Sequence, residues 1–181
     1  MCRSSKMTTR ILKQRDFKSR NTPVLAKNLL GKFLARKRGV KTDYFLITET
    51  EAYHGPKDLA SHASSGKTER NEPMFGHSGR WYLYMIYGMH QMLNIVTGPK
   101  DYPAAILIRG VRGIRGPGRL TQKLRITKTL NKKEAARKSG LYIVDRGVRI
   151  PARNIKKSTR IGVEYAGPLW GKKHYRFYIK V

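Results

Sequence analysis

From Lys32 to Arg112 the chain is written in short aromatic and β-branched runs cut by turn residues, and this punctuation limits the fold more than any other feature. KFLARKR (32–38) leads through the turn GVKTD into DYFLITETEAY (43–53). WYLYMIYGMHQMLNIVTG (81–98) reads as two strands folding back at Tyr87-Gly88, and GPKDYP turns the chain into AAILIRGVR (104–112). LYIVDRGVRI (141–150), RIGVEYAG (160–167) and HYRFYIKV (174–181) are expected to close the chain as strands. Helices are expected to be short. Thr22 is the expected N-cap of a helix with Pro23 in its first turn and Gly31 past its end, and GPGRLTQKL reads as a proline-started helix. Asn131 and Glu134 in NKKEAARKSG form a capping-box-like start to a further helix stopped by Gly140. Residues 54–80, rich in Gly, Ser, Pro and charge, read as one long irregular connection, a kind of loop that is usually functional or mobile. With no repeat and no linker, the expectation is an α+β single domain: a mixed, mostly antiparallel curved β-sheet with flanking short helices over residues 21–181, preceded by a mobile basic arm, 1–20.

The charge balance narrows the partners. Thirty-nine Lys and Arg stand against eleven Asp and Glu, a formal net charge of +28, and that much like charge repels itself unless a polyanion neutralises it. The cations are spread along the chain, which fits a folded basic surface and makes nucleic acid the natural partner, although charge alone does not separate this from an adaptation for solubility or a ribosome-like environment. Cys2 is the one cysteine, so disulfide, zinc-cluster and iron–sulfur chemistry have no support. No apolar run is long enough to span a bilayer, and the basic start lacks the apolar segment of a secretory signal. An intracellular protein without membrane contact is expected, in a bacterial cytoplasm or nucleoid, or in a nucleus if the source is eukaryotic.

Against this background ITETEAYHG (47–55) spends two of the scarce carboxylates two residues apart. On a strand Glu49, Glu51 and Tyr53 share one face, which reads either as an ion-paired strand surface or as part of a site. Tyr82 and Tyr84 also share a face, and core packing is the ordinary fate of such a pair. Tyr87 falls at the hairpin tip, where a large ring has little protein to pack against and could instead wedge between bases. Together with Glu51, Tyr53 and His62 this supplies the parts of a base-flipping enzyme: a wedge, flat groups to stack an extruded base, and a carboxylate for its sugar. RGVRGIRGPGRL is neither a Walker loop nor a dinucleotide fingerprint; it reads as a basic loop on DNA backbone or as an ordinary turn into a helix.

ITETEAYHGPKDLASHA, RNEPMF, WYLYMIYGMHQMLNIV, AAILIRG, GPGRLTQ, RIGVEYAG and RFYI, taken in order, resemble the successive motifs of the alkyladenine (3-methyladenine) DNA glycosylases from about Thr22 onward. The resemblance implies hydrolytic excision of alkylated purines from double-stranded DNA, by a monomer, without metal or organic cofactor. It assigns Glu51 as the base that activates water and Arg109 as its helper. Tyr53, His62 and Tyr84 become the walls around the flipped base, Asn94 the floor that crowds normal guanine, and Tyr87 the residue that fills the gap in the duplex. His62 as an ordinary loop histidine and Asn94 as a cap on buried backbone groups remain the alternative readings. Two departures stand out: the stretch between Arg109 and GPGRL is shorter than the family pattern, and His90 follows IYGM where an aromatic is common. The rival is a non-catalytic nucleic-acid-binding protein. A nuclease built on Glu49 and Glu51 lacks an accompanying cluster of metal ligands.

Overall fold

The computed structural model describes residues 9–180. Its spine is one strand of thirteen residues, β3 (Lys41–Tyr53), long enough to serve different neighbours along its length. The first half of β3 pairs with β2 (Phe33–Arg38), joining Phe33 to Leu46. The second half pairs with β6 (Ala105–Val111) on one edge and with β10 (Arg176–Ile179) on the other. Around this spine the sheet runs β1-β8-β2-β3-β6-β5-β4, where β1 is Arg10–Ile11, β4 Trp81–Ile86, β5 His90–Val96 and β8 Leu141–Asp145. Short β7 (Ile114–Arg115) pairs with β6, and β9 (Ile155–Ser158) pairs with β10. These pairings are antiparallel, which the short turns of β2–β3, β4–β5 and β6–β7 require.

The two-residue period divides the sheet into two working faces. Trp81, Leu83, Leu93, Ile95, Ile106 and Ile108 turn to the main core, which also takes Ala26 and Leu29 of α1 (Thr22–Leu29) and Leu120 of α2 (Pro117–Lys123). Thr50 sits on that side too, its hydroxyl donating to the Ala26 carbonyl at 2.9 Å. Glu49, Glu51 and Tyr53 therefore fall on the opposite face, where Tyr82, Val96 and Ala105 pack against Met74 and Ala63 of the long 54–80 connection. That connection has no strand and only one short 3-10 turn, Glu72–Phe75, yet it is stapled down. Asn71 is buried, and its amide donates to the carbonyls of His62 (2.7 Å) and Gly66 (2.8 Å).

Several expectations change on contact with the fold. The cap of α1 is Asn21, whose side chain accepts from the Val24 amide; Thr22 is buried and its hydroxyl meets that of Thr97 at 3.2 Å. NKKEAARKSG does not form a helix. Its backbone groups are taken by the start of β4, with Trp81 N–H donating to Lys133, Lys132 N–H to Trp81 and Ala135 N–H to Gly79, while the Asn131 side chain accepts from Leu83 N–H. Only a 3-10 turn, Arg137–Ser139, precedes the left-handed Gly140. The strand expected over 141–150 stops at Asp145, whose carboxylate binds Lys32 and the Gly147 amide and so turns the chain. RIGVEYAG is likewise no strand: it wraps the site and passes through a 3-10 turn, Glu164–Ala166, into α3 (Gly167–Gly171), whereas the unanticipated strand is β9.

The expected arm meets a further difference. Arg10 and Ile11 pair with Asp145 and Val144, the Phe17 carbonyl accepts from Gly98 N–H, and the Phe17 ring is 1 % exposed in the main core. Residues 9–20 are thus built into the domain; residues 1–8, with Cys2, lie outside the described residues. No helix among the described residues is long and apolar enough to cross a membrane. Phe17→Ala should lower unfolding stability by about 3–5 kcal/mol through lost transfer energy and the cavity left behind. Urea denaturation would measure it, and a change below about 1 kcal/mol would return these residues to the status of a loosely attached arm.

Candidate active site

A bulge sets the geometry of the site. Along the β3–β6 ladder Glu49 pairs with Gly110 and Thr50 with Ile108, so Arg109 is the extra residue on β6, just as Thr48 is on β3. Arg109 itself keeps the cleft-facing alternation of Ala105 and Leu107, the shift in phase falling after it where Val111 returns to the core, and its guanidinium reaches across onto β3. Arg109 Nε donates to Glu49 Oε1 at 3.0 Å and Nη1 to Glu51 Oε2 at 3.3 Å. Glu49 also receives Arg176 Nε at 2.7 Å, so this carboxylate ties β6 and β10 to β3, the ion-paired role its position suggested.

Glu51 is placed differently although it lies only two residues on. It is 0 % exposed, yet all its donors come from nearby groups that fix the carboxylate rather than neutralise it fully. Oε1 accepts from the Ile161 amide at 2.9 Å, and Oε2 takes the Tyr53 hydroxyl at 3.2 Å besides Arg109. Burial raises the Glu51 pKa above the ordinary carboxylate value; Arg109, the Ile161 N–H and the Tyr53 hydroxyl oppose the rise, and nearby Glu49 adds to it. A carboxylate held dry with its proton affinity increased is the usual preparation of a general base.

In front of this carboxylate lies an open cleft of about 890 Å³, lined among others by Tyr53, His62, Tyr84, Tyr87 and Arg109. The His62 and Tyr84 rings meet edge to face at 4.4 Å, and His62 Nδ1 lies 3.3 Å from the Tyr82 hydroxyl. Burial, with Arg70 nearby, depresses the His62 pKa, and burial pushes Tyr82 up to about 12 and Tyr84 higher still. Burial thus favours the neutral form of all three rings. Asn94 is buried beside Tyr82 and its amide nitrogen donates to the Met92 and Tyr82 carbonyls at 3.1 and 3.3 Å. The void enclosed by Tyr53, His62, Tyr82, Tyr84, Asn94 and Ala105 is about 10 Å³, too small for a base until its walls part. Tyr87 stands apart at the hairpin tip, 85 % exposed, with φ +50° beside Gly88 at +68°, the positive pair of a type I′ turn. The structure thus lines one cleft with Arg109, Tyr53, His62, Tyr84 and Tyr87, buries Glu51 behind it in contact with Arg109 and Tyr53, and sets Asn94 on the small adjoining void.

Two contributors escaped the sequence. Arg160 is fully buried, donating to Asp58 through both terminal nitrogens and to the carbonyls of Ala52 (2.9 Å) and Trp170 (3.2 Å). Its guanidinium lies 5.0 Å over the Tyr53 ring and 5.3 Å over Tyr175, so it backs the wall that faces the cleft and fixes the backbone that presents the Ile161 N–H. Asp58 in turn accepts from the backbone amides of His54 and Ala60 and shapes the first turn of the long connection. In a chain so rich in arginine, nothing marks one of them as buried. Asp58 was the available signal, an acid inside a Gly- and Pro-containing turn three residues after Gly55. Asp58→Asn should cost about 3–5 kcal/mol of stability, because it leaves the Arg160 charge buried without its partner. Thermal and chemical denaturation measure this, and a near-neutral result would contradict the buried pair.

Comparison with known proteins gives the family. The family model of methylpurine-DNA glycosylase matches residues 16–116 and 112–181; the two stretches meet at the short turn after β6, where the sequence departs from the family pattern. A protein of Anaeromyxobacter sp. (strain Fw109-5) is 39 % identical over 90 % of this chain and 86 % of its own length. One of Methanocella arvoryzae is 40 % identical over 92 % and 91 %, and one of Legionella pneumophila (strain Paris) 39 % over 92 % and 93 %. All three are provisionally named 3-methyladenine DNA glycosylases. With the described fold from residue 16 onward and both edges of the cleft inside the matched residues, the chain belongs to the methylpurine-DNA glycosylase family.

Proposed function

We propose that this protein is a monofunctional DNA repair glycosylase, acting as a monomer inside the cell on duplex DNA, that flips out an alkylated purine of the 3-methyladenine type and hydrolyses its N-glycosidic bond. The observation that carries the reading is Glu51: a fully buried carboxylate with a raised proton affinity at the back of an open cleft on a strongly basic protein.

Alkylation at a ring nitrogen leaves the purine cationic in the nucleotide, so it can depart as a neutral base, taking the bonding electron pair and leaving an oxocarbenium-like sugar. Negative Glu51 stabilises that sugar and takes a proton from the water whose oxygen bonds to C1′. Arg109 keeps the carboxylate ionised and aimed; once protonated, Glu51 returns its proton to solvent. The step closes on protein groups and water. Tyr53 on one side and His62 with Tyr84 on the other stack the flipped base, electron-rich faces attracting a cationic ring, while Tyr87 occupies the gap in the duplex. Asn94 at the floor disfavours the exocyclic amino group of guanine. Glu49 and Glu51 are both engaged by Arg109, which works against a metal-dependent nuclease that would need them free.

Glu51→Gln should reduce single-turnover excision by about 10²–10⁴-fold with lesion binding retained, whereas Glu49→Gln should act through stability and keep its rate within a few-fold where folded. Parental excision by both variants, or release of no base from any defined alkylated duplex by the parent, would leave the non-catalytic binder as the better reading. The pH profile gives a second check. Since the base must be ionised and its pKa is raised, excision should rise with pH through an acid limb above the ordinary carboxylate range. Arg109 lowers that pKa, so Arg109→Gln should move the limb to still higher pH; a limb unmoved by the change would separate Arg109 from Glu51. None of the proposed site residues is a lysine, so the product should be an intact strand with an abasic site. Borohydride trapping of a covalent protein–DNA adduct would contradict it.

A further inference from the structure

At the opposite end of β4 from the Tyr87 tip lies a second basic depression that the proposed chemistry does not use. Its floor is the segment His77–Arg80, where Gly79 passes beneath Gln14 so closely that a Cβ would lie 3.0 Å from the Gln14 Cα. One wall is the chain around Lys13 and Gln14, the other is Glu134–Arg137, and together they enclose about 600 Å³. The depression continues past Gln14 and Ser78 into a second trough of about 460 Å³, and past His77 toward Lys132. It shares no lining residue with the cleft in front of Glu51.

Its chemistry is one-sided. Lys13, Arg80 and Arg137 line the first trough, and Lys18, Arg20 and Lys100 the second. Lys13, Lys18, Lys100 and Arg137 are exposed and, among the described residues, pair with no carboxylate. The two acids on the lining, Glu134 and Glu72, are already engaged by Lys138 and Lys132. The cations are strung along a continuous groove rather than converging on one point, which fits a polymer of phosphates better than a single small anion. The chain's own first residues are poor occupants, because MCRSSKMT adds two more cations and no acid. Position argues that the polymer is not the duplex being repaired. A wedge at a hairpin tip enters DNA along the strand axis, so the other end of the same strand, ~20 Å away at about 3.3 Å per residue, faces away from that duplex.

We propose that this groove binds the phosphate backbone of a second DNA duplex, so that one protein holds two DNA segments at once. The inference rests on DNA being the substrate, and base release is therefore scored separately from bridging. Two undamaged duplexes of about 15 base pairs, one carrying a donor and the other an acceptor dye, are mixed with the full chain, and energy transfer and the number of duplexes per monomer are measured. The parent should bind two duplexes per monomer and bring donor and acceptor together. The variant Lys13→Gln/Lys18→Gln/Lys100→Gln/Arg137→Gln should bind one, with affinity for the second duplex lowered by about 10²–10³-fold at 0.1 M salt. Its single-turnover excision from a short lesion duplex should stay within about two-fold of the parent. One duplex per parent monomer, or bridging by the variant equal to the parent's, overturns the proposal. So does a variant that loses affinity for one long duplex as much as it loses bridging, since the groove would then serve the repaired duplex. Bridging without any base release would sink the glycosylase reading and leave the groove standing.

Discussion

Everything around the cleft is arranged to keep one carboxylate charged in a place that disfavours charge. Moving an ion out of water costs several kcal/mol even after relaxation, and only closely placed donors offset that cost. Glu51 obtains them from three separate parts of the chain: the bulge residue of β6, the hydroxyl of Tyr53, and a backbone amide of the segment after β9. Remove the bulge and the register that sets Arg109 beside Glu49 and Glu51 shifts by one residue; remove the Arg160–Asp58 pair and the Ile161 amide loses its anchor. The sheet, the long connection and the C-terminal segment are therefore coupled at a single side chain, although they are far apart in sequence.

This coupling explains why two acids two residues apart serve different ends. Glu49 is bound by two arginines and keeps a little solvent contact, which suits a group that knits strands. Glu51 shares one of those arginines and has no solvent contact, so its proton affinity rises. Strand periodicity put both on one face; neighbouring strands made them unlike.

Most strands, and the grouping of Glu51, Tyr53, His62, Tyr84 and Arg109 on one side of the sheet, were legible because their signals are local: alternation, turn residues and the order of motifs. What was not legible depended on partners distant in sequence. NKKEAARKSG carries a sound helix start, but the leading edge of β4 needs those same backbone groups, and pairing in a sheet overrode local preference. RIGVEYAG has strand-like composition, yet its arginine is drawn inward by Asp58 more than a hundred residues away, and a chain bent around a buried guanidinium cannot stay extended. The bulge at Arg109 is equally invisible, since LIRG shows a regular alternation and only the register against β3 reveals the extra residue. The N-terminal segment reads as a solvated basic arm because its cations dominate, while Leu12 and Phe17 between them bind it to the core.

The hairpin tip has a consequence for timing. Tyr87 holds a left-handed backbone conformation that a bulky residue adopts only at a cost of order 1–3 kcal/mol. That cost is met when the hairpin folds, before any DNA arrives, and the ring is already projecting with no neighbour to release it. In the proposed function, penetration of the duplex would then require no rearrangement of the probe itself, and the slow event would be left to the nucleic acid: the spontaneous loosening of a base pair, which is easiest where a lesion has weakened it. On that proposal, a preformed probe on a protein bound mainly by charge would sample each pair briefly and leave sound ones undisturbed, so discrimination would begin with the mechanics of the helix and before any contact with the pocket.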